Sequence, residues 1–184
     1  MVFDDNLLFG NVREYCKSKK MRVSRQDSLG HGSDGAVWRT GVPTAVKAIY
    51  KERNYQTERE CYRRLAGANS INGLHVPILE GCSDKLRVIE ISIVQPPYLL
   101  DFGKAWLDRL PSDFYDSQLI SNAMQGWREL FGKDWPQVSA TLYLLRTKFG
   151  IYYTDPRPGN INFGNDDDDG DWEAEPGLDY SSYE

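Results

Sequence analysis

Two histidines and three cysteines are all that this chain of 184 residues offers to a soft-ligand metal site. His31 and His75 stand far apart, while Cys16, Cys61 and Cys82 are odd in number and irregularly spaced. That distribution argues against a zinc cluster or a disulfide framework and suits free thiols in a reducing compartment. Long apolar runs are missing too, with nothing near the ~20 residues that a membrane-crossing helix requires. The opening Met-Val-Phe-Asp-Asp has no basic region ahead of an apolar stretch, so no secretory leader is expected. Basic excess is also lacking: 22 Lys and Arg face 27 Asp and Glu, a net charge of −5. A chain of that balance is poorly suited to neutralising a nucleic-acid backbone. The expectation is a cytoplasmic protein with neither nucleic acid nor membrane as a partner.

What is present is enough apolar and aromatic material, 40% and 12%, to build a core. Charge is unevenly distributed, with Lys and Arg concentrated over 11–64 and acid over 165–184. Apolar spacing predicts a short amphipathic helix over 4–19. Strands follow at Val23–Leu29, Ala36–Thr40 and Thr44–Tyr50, then a helix over Asn54–Leu65. Pro77–Glu80 and Leu86–Val94 read as further strands, ended by Gln95-Pro96-Pro97, since proline cannot donate to a ladder. Helices are expected over Leu99–Leu110, Ser117–Phe131 and Gln137–Phe149. Strands first and helices second, divided near residue 96, predict an α+β protein of two lobes, 1–95 and 96–184.

Four constellations carry chemistry. Gly30-His-Gly32-Ser-Asp-Gly35-Ala-Val37 lies between two predicted strands, where glycines let backbone N–H groups approach phosphate oxygens. An extended segment follows it instead of the helix that a dinucleotide fingerprint requires. Ala45-Val46-Lys47 sets one lysine in an apolar strand, and an inward ammonium there needs an anion. On the following helix Glu58 shares a face with Cys61, Tyr62 and Leu65, which makes it the partner expected for Lys47, with Glu60 as the fallback. Finally Asp155-Pro-Arg157-Pro-Gly-Asn160 packs a base, a cation and an oxygen ligand into one loop, and Gly177-Leu178-Asp179 follows. That inventory suits a nucleoside triphosphate with Mg2+.

Taken in order, the glycine string, strand lysine, helix glutamate, proline hinge, D-x-x-x-x-N loop and later aspartate resemble the protein-kinase-like superfamily. The resemblance implies a bilobal fold with an N-terminal antiparallel sheet, one main helix and a reduced helical C-terminal lobe. It implies ATP and Mg2+ as cofactors, with Gly30, Gly32, Gly35, Val37, Ala45, Lys47 and Glu58 around the nucleotide. Asp155 takes the role of catalytic base, Lys47 and Arg157 contact phosphates, and Asn160 and Asp179 hold metal. The literal Asp101-Phe102-Gly103 precedes the loop and is read as a coincidence at a helix start, with Asp101 as its cap or near the ribose.

The sequence also departs from that pattern. Tyr153-Thr154-Asp155 stands where the family has H-R-D, and no A-P-E segment follows Asp179. The activity implied is phosphoryl transfer to a hydroxyl of a protein, a small molecule or the chain itself. The runner-up is an inactive nucleotide-binding or interaction module, and a reduced lobe suggests a homodimer or protein partner. The tetra-aspartate run 166–169 is expected to be a solvated hairpin loop.

Overall fold

The computed structural model describes residues 5–111 and 117–164. The acid-rich segment 165–184, with its expected hairpin loop and Asp179, therefore lies outside the described residues.

Helix α1 (Asp5–Ser18) precedes three strands, β1 (Val23–Gly32), β2 (Gly35–Thr40) and β3 (Thr44–Ile49). Helix α2 (Glu52–Arg64) follows, then the two-residue strands β4 (Ser70–Ile71) and β5 (Leu74–His75). Strands β6 (Leu79–Ser83) and β7 (Val88–Ser92) complete an antiparallel sheet ordered β1-β2-β3-β7-β6.

Period-two alternation along β3 divides its side chains between two apolar layers. Val46 and Ala48 meet Leu8, Val12 and Cys16 of α1 on one face. Ala45 and Ile49 face α2 and the rest of the chain on the other. Lys47 lies on this second face, in register with Val37 of β2 and Ile89 of β7. A lysine at the centre of a sheet is thus directed into the main core.

After the Pro96-Pro97 step come β8 (Tyr98–Leu99) and β9 (Trp106–Leu107), both two residues long. The helix expected over Leu99–Leu110 does not form. Asp101 and Asp108 both adopt left-handed backbone, with φ of 56° and 64°. Neither value is compatible with a continuing right-handed helix.

Helices α3 (Ser117–Phe131) and α4 (Trp135–Phe149) then form much as the apolar spacing predicts. Ile120, Met124 and Leu130 of α3 remain exposed, whereas Val138, Thr141 and Leu145 of α4 are buried. Helix α4 stops at Gly150, whose φ of 64° lets its N–H reach the Arg146 carbonyl.

The last strands, β10 (Ile151–Tyr152) and β11 (Ile161–Asn162), flank the Asp155 loop. Each pairs with a strand from before the helices: β10 with β9 and β11 with β8, both antiparallel. Strand β8 also joins β5 in parallel, giving a small sheet ordered β11-β8-β5-β4. The result is an α+β fold with an N-terminal antiparallel sheet and a helical C-terminal part, as expected. One continuous core containing Ile49, Tyr62, Phe102, Leu145 and Ile161 runs between the two.

Candidate active site

Lys47 is the centre of the site. Its Nζ donates to both carboxylate oxygens of Glu58, at 2.8 and 3.0 Å, and to Oδ1 of Asp101 at 2.9 Å. Glu58 is 1% exposed and Lys47 7%, so neither charge could stay there without the other. The partner is Glu58 because its place on α2 faces the sheet; Glu60 instead accepts from Arg64.

Burial would lower the Lys47 pKa, but the two carboxylates outweigh it and hold the ammonium above its ordinary range. Burial pushes the Glu58 carboxyl up to about 7, against the pull of Lys47 and with a further push from Asp101. Asp101 goes the other way. Burial would raise it, yet Lys47 and the Gly103 N–H hold it below the usual carboxylate range.

Asp101, expected as a helix cap or near the ribose, instead pairs with Lys47. It caps no helix, because none starts there. It belongs to an arm, 101–108, that packs against α2. Four contacts fasten that arm: Lys47 with Asp101, Tyr62 with Phe102, Arg53 with Trp106, and Arg64 with Asp108. Phe102 is fully buried between Tyr62 and Tyr153, edge-on to each at 5.2 and 5.4 Å. The Tyr153 hydroxyl donates to the Leu100 carbonyl at 2.6 Å, and Thr154 Oγ1 donates to the Lys104 carbonyl at 2.7 Å. The residues standing in place of histidine and arginine thus pin the Asp155 loop to the D-F-G arm.

Strand pairing fixes where that loop lies. Ile161 is opposite Leu99, and the Leu100 N–H donates to the Asn160 carbonyl at 2.8 Å. Asn160 and Asp101 therefore emerge side by side from one two-stranded ladder. The loop closes on itself through bonds from the Asn160 and Ile161 N–H groups to the Arg157 carbonyl, both 2.8 Å. The Asn160 amide nitrogen donates to the Asp155 carbonyl at 3.0 Å, which leaves its amide oxygen as the atom a cation would use. Asp155 Oδ2 lies 3.3 Å from Lys104 Nζ and 3.4 Å from Arg157 Nη2.

The glycine string forms the β1–β2 hairpin, with Gly32 opposite Gly35 around the turn Ser33-Asp34. A Cβ on Gly35 would collide with the Ala48 carbonyl of β3, so close packing accounts for that glycine. Gly30 and Gly32 have open space where a Cβ would stand. Asp34, at the tip, accepts from Asn54 at 2.9 Å and lies 3.6 Å from Lys104. Val37 is half-buried and Ala45 buried on the Lys47 face of the sheet. A separate groove of about 950 Å3 lies on the α1 side of the sheet, lined by Arg13, Lys17, Lys20 and Arg22 among others.

Of the residues expected at the site, the structure gathers Lys47, Glu58, Asp155, Arg157 and Asn160 with the glycine hairpin, and adds Asp101, Lys104 and Asp34. Asp179 lies outside the described residues. The signal for Asp101 was its own motif: Tyr-Leu-Leu ahead of Asp-Phe-Gly reads as a strand entering a turn.

A solved structure of the streptomycin-ATP-APH(2")-IIa ternary complex overlaps 52% of this chain at 21% identity, with a TM-score of 0.37. The overlap covers 30% of that chain. At that similarity it bears on neither the fold nor the chemistry of this chain. No family model and no curated protein matches the sequence.

Proposed function

We propose that this chain is an ATP- and Mg2+-dependent phosphotransferase acting on a hydroxyl acceptor. The observation carrying this reading is a buried ammonium, Lys47, shared by Glu58 and Asp101 and set beside a loop that presents Asp155 and Asn160. A lysine so placed offers a fixed positive charge to phosphate oxygens, and phosphoryl transfer depends mainly on positioning and charge neutralisation.

The donor set fits the metal. A carboxylate on Asp101 and an amide oxygen on Asn160 are hard oxygen ligands at the end of one ladder, the type Mg2+ selects. Charge balance supports the same requirement. Lys47, Lys104 and Arg157 face four carboxylates, Glu58, Asp101, Asp34 and Asp155. A site with that surplus of anions repels a triphosphate unless a divalent cation accompanies it.

In this reading Lys47 orients the α- and β-phosphates beneath the hairpin of Gly30, Gly32 and Gly35. Asp155 positions the acceptor hydroxyl and takes its proton as the bond from acceptor oxygen to phosphorus forms. The bond from that phosphorus to the β-phosphate oxygen breaks, leaving ADP. Arg157 balances charge on the transferred group.

One observation favours a second reading, a nucleotide-binding module without turnover: Asp155 Oδ2, the oxygen an acceptor hydroxyl would approach, is already engaged by two cations. Transfer from γ-labelled ATP to a panel of hydroxyl acceptors, measured beside a thermal-shift titration, separates the two. Phosphotransfer predicts labelling that Asp155→Ala abolishes while nucleotide binding persists. Binding with no labelling would support the module, and no shift with ATP and Mg2+ would remove both.

A further inference from the structure

Lys104 follows the D-F-G triplet directly, and its ammonium bridges two otherwise separate parts of the site. Its Nζ lies 3.6 Å from Asp34 Oδ2 at the tip of the glycine hairpin and 3.3 Å from Asp155 Oδ2 on the loop below. The main chain there is fixed, because Thr154 Oγ1 donates to the Lys104 carbonyl at 2.7 Å. The side chain is not: it is 41% exposed and spans to both carboxylates. This ammonium is anchored at its base and partly exposed at its tip, in the gap between hairpin and loop.

We propose that Lys104 is the group that distinguishes a nucleoside triphosphate from a diphosphate in this site. The inference rests on the nucleotide reading above and deepens it. A terminal phosphoryl group that meets a hydroxyl held on Asp155 lies just beyond that carboxylate, and so comes within reach of an ammonium 3.3 Å from it. The inner phosphates are held near Lys47 and Asp101, on the other side of the Phe102-Gly103 step. Only the terminal phosphate completes the set of anions around Lys104. Taking Lys104 as its partner, that phosphate relieves the ammonium of Asp155, whose carboxylate is then free for an acceptor hydroxyl. The link to Asp34 keeps the hairpin tip over the same phosphate. Arg157, 52% exposed on its side of Asp155, makes no contact with the hairpin among the described residues and cannot couple the two parts.

The test is a comparison of ATP and ADP affinity, each with Mg2+, for wild type, Lys104→Met and Lys104→Arg by calorimetry. Wild type is expected to bind ATP more tightly than ADP. Lys104→Met should lose about tenfold in ATP affinity, one charge-assisted hydrogen bond, with ADP affinity changed less than about twofold. Lys104→Arg should recover most of the preference. A merely structural lysine would affect both nucleotides alike, so equal losses, or no change in either, overturn the assignment. Melting temperatures of the variants close to wild type confirm that folded proteins are compared. If wild type binds neither nucleotide, the nucleotide reading falls, a result distinct from a wild type that prefers ATP through some other residue.

Discussion

Leu99 lies directly opposite Ile161 in an antiparallel ladder, although α3 and α4 separate them in the chain. Because of that pairing, Asp101 and Asn160 leave the ladder together, and a D-F-G triplet preceding the Asp155 loop in sequence arrives beside it in space. Backbone ladders form between neighbours in space and take no account of which strand was made first.

The first consequence is a contest between two aspartates. Asp101→Asn should abolish the gain in ATP affinity that Mg2+ provides, while Asp179→Asn should leave that gain intact. Titrations of each variant with nucleotide, with and without Mg2+, decide it. Loss of the gain in Asp179→Asn alone would return the metal to the later residue.

The buried triad gives a stability prediction. Lys47→Met leaves Glu58, 1% exposed, without its cation, and should destabilise the fold by about 3–5 kcal/mol in denaturant titrations. The double variant Lys47→Met/Glu58→Leu removes the more deeply buried carboxylate as well, leaving only Asp101 unpaired, and should recover part of that loss. A double variant no more stable than the single one would show that packing, not the stranded carboxylate, is responsible.

Acidity supplies another. The Glu58 carboxyl is raised from 4.5 to about 7 in the folded protein, so between those values the native state holds a proton that the unfolded chain has released. Its contribution is fully present below 4.5 and disappears as pH rises through about 7. Wild-type stability should therefore fall across that window relative to Glu58→Gln, which cannot titrate. Asp101, shifted in the opposite direction, contributes above its unfolded pKa and is lost on acidification, in a separate and lower window. Parallel pH profiles for wild type and Glu58→Gln would refute the assignment.

A fourth prediction concerns Gly150. Its φ is 64°, and an added Cβ would stand 2.7 Å from Asp108 Oδ1 and 2.9 Å from Arg64 Nη1. Gly150→Ala should cost about 1–3 kcal/mol from backbone strain alone. Displacement of the Arg64–Asp108 pair would add to that. A variant melting with wild type would show that the pair yields without penalty.

Much of this was legible in the sequence. The apolar run around Lys47 meant that an inward ammonium there would need an anion, and the i, i+4 relation of Glu58 to Tyr62 placed a carboxylate on the face that meets it. Helix α3 appeared with the bounds its spacing predicted. The arm over 101–108 was not legible, because Leu99, Leu100, Phe102, Ala105 and Leu107 are as dense in apolar groups as a buried helix. Only the left-handed backbone at Asp101 and Asp108 and the pairing of β8 and β9 with distant strands give it its shape, and periodicity carries no information on either. Asp34 stood at a variable position of the glycine string, and Lys104 carried no motif. Their role depends on distances across the cleft, which no local pattern encodes.

Helix α2 is fastened to its neighbours along its whole length. Arg53 stacks over Trp106 near one end, 3.8 Å from guanidinium to ring. Arg64 clasps Asp108 with two bonds, of 2.7 and 2.9 Å, at the other. Glu58 and Tyr62 hold the middle. A displacement large enough to withdraw Glu58 from Lys47 must drag the arm bearing Asp101 along with it, so the two travel as one body and the glutamate is no independent lever.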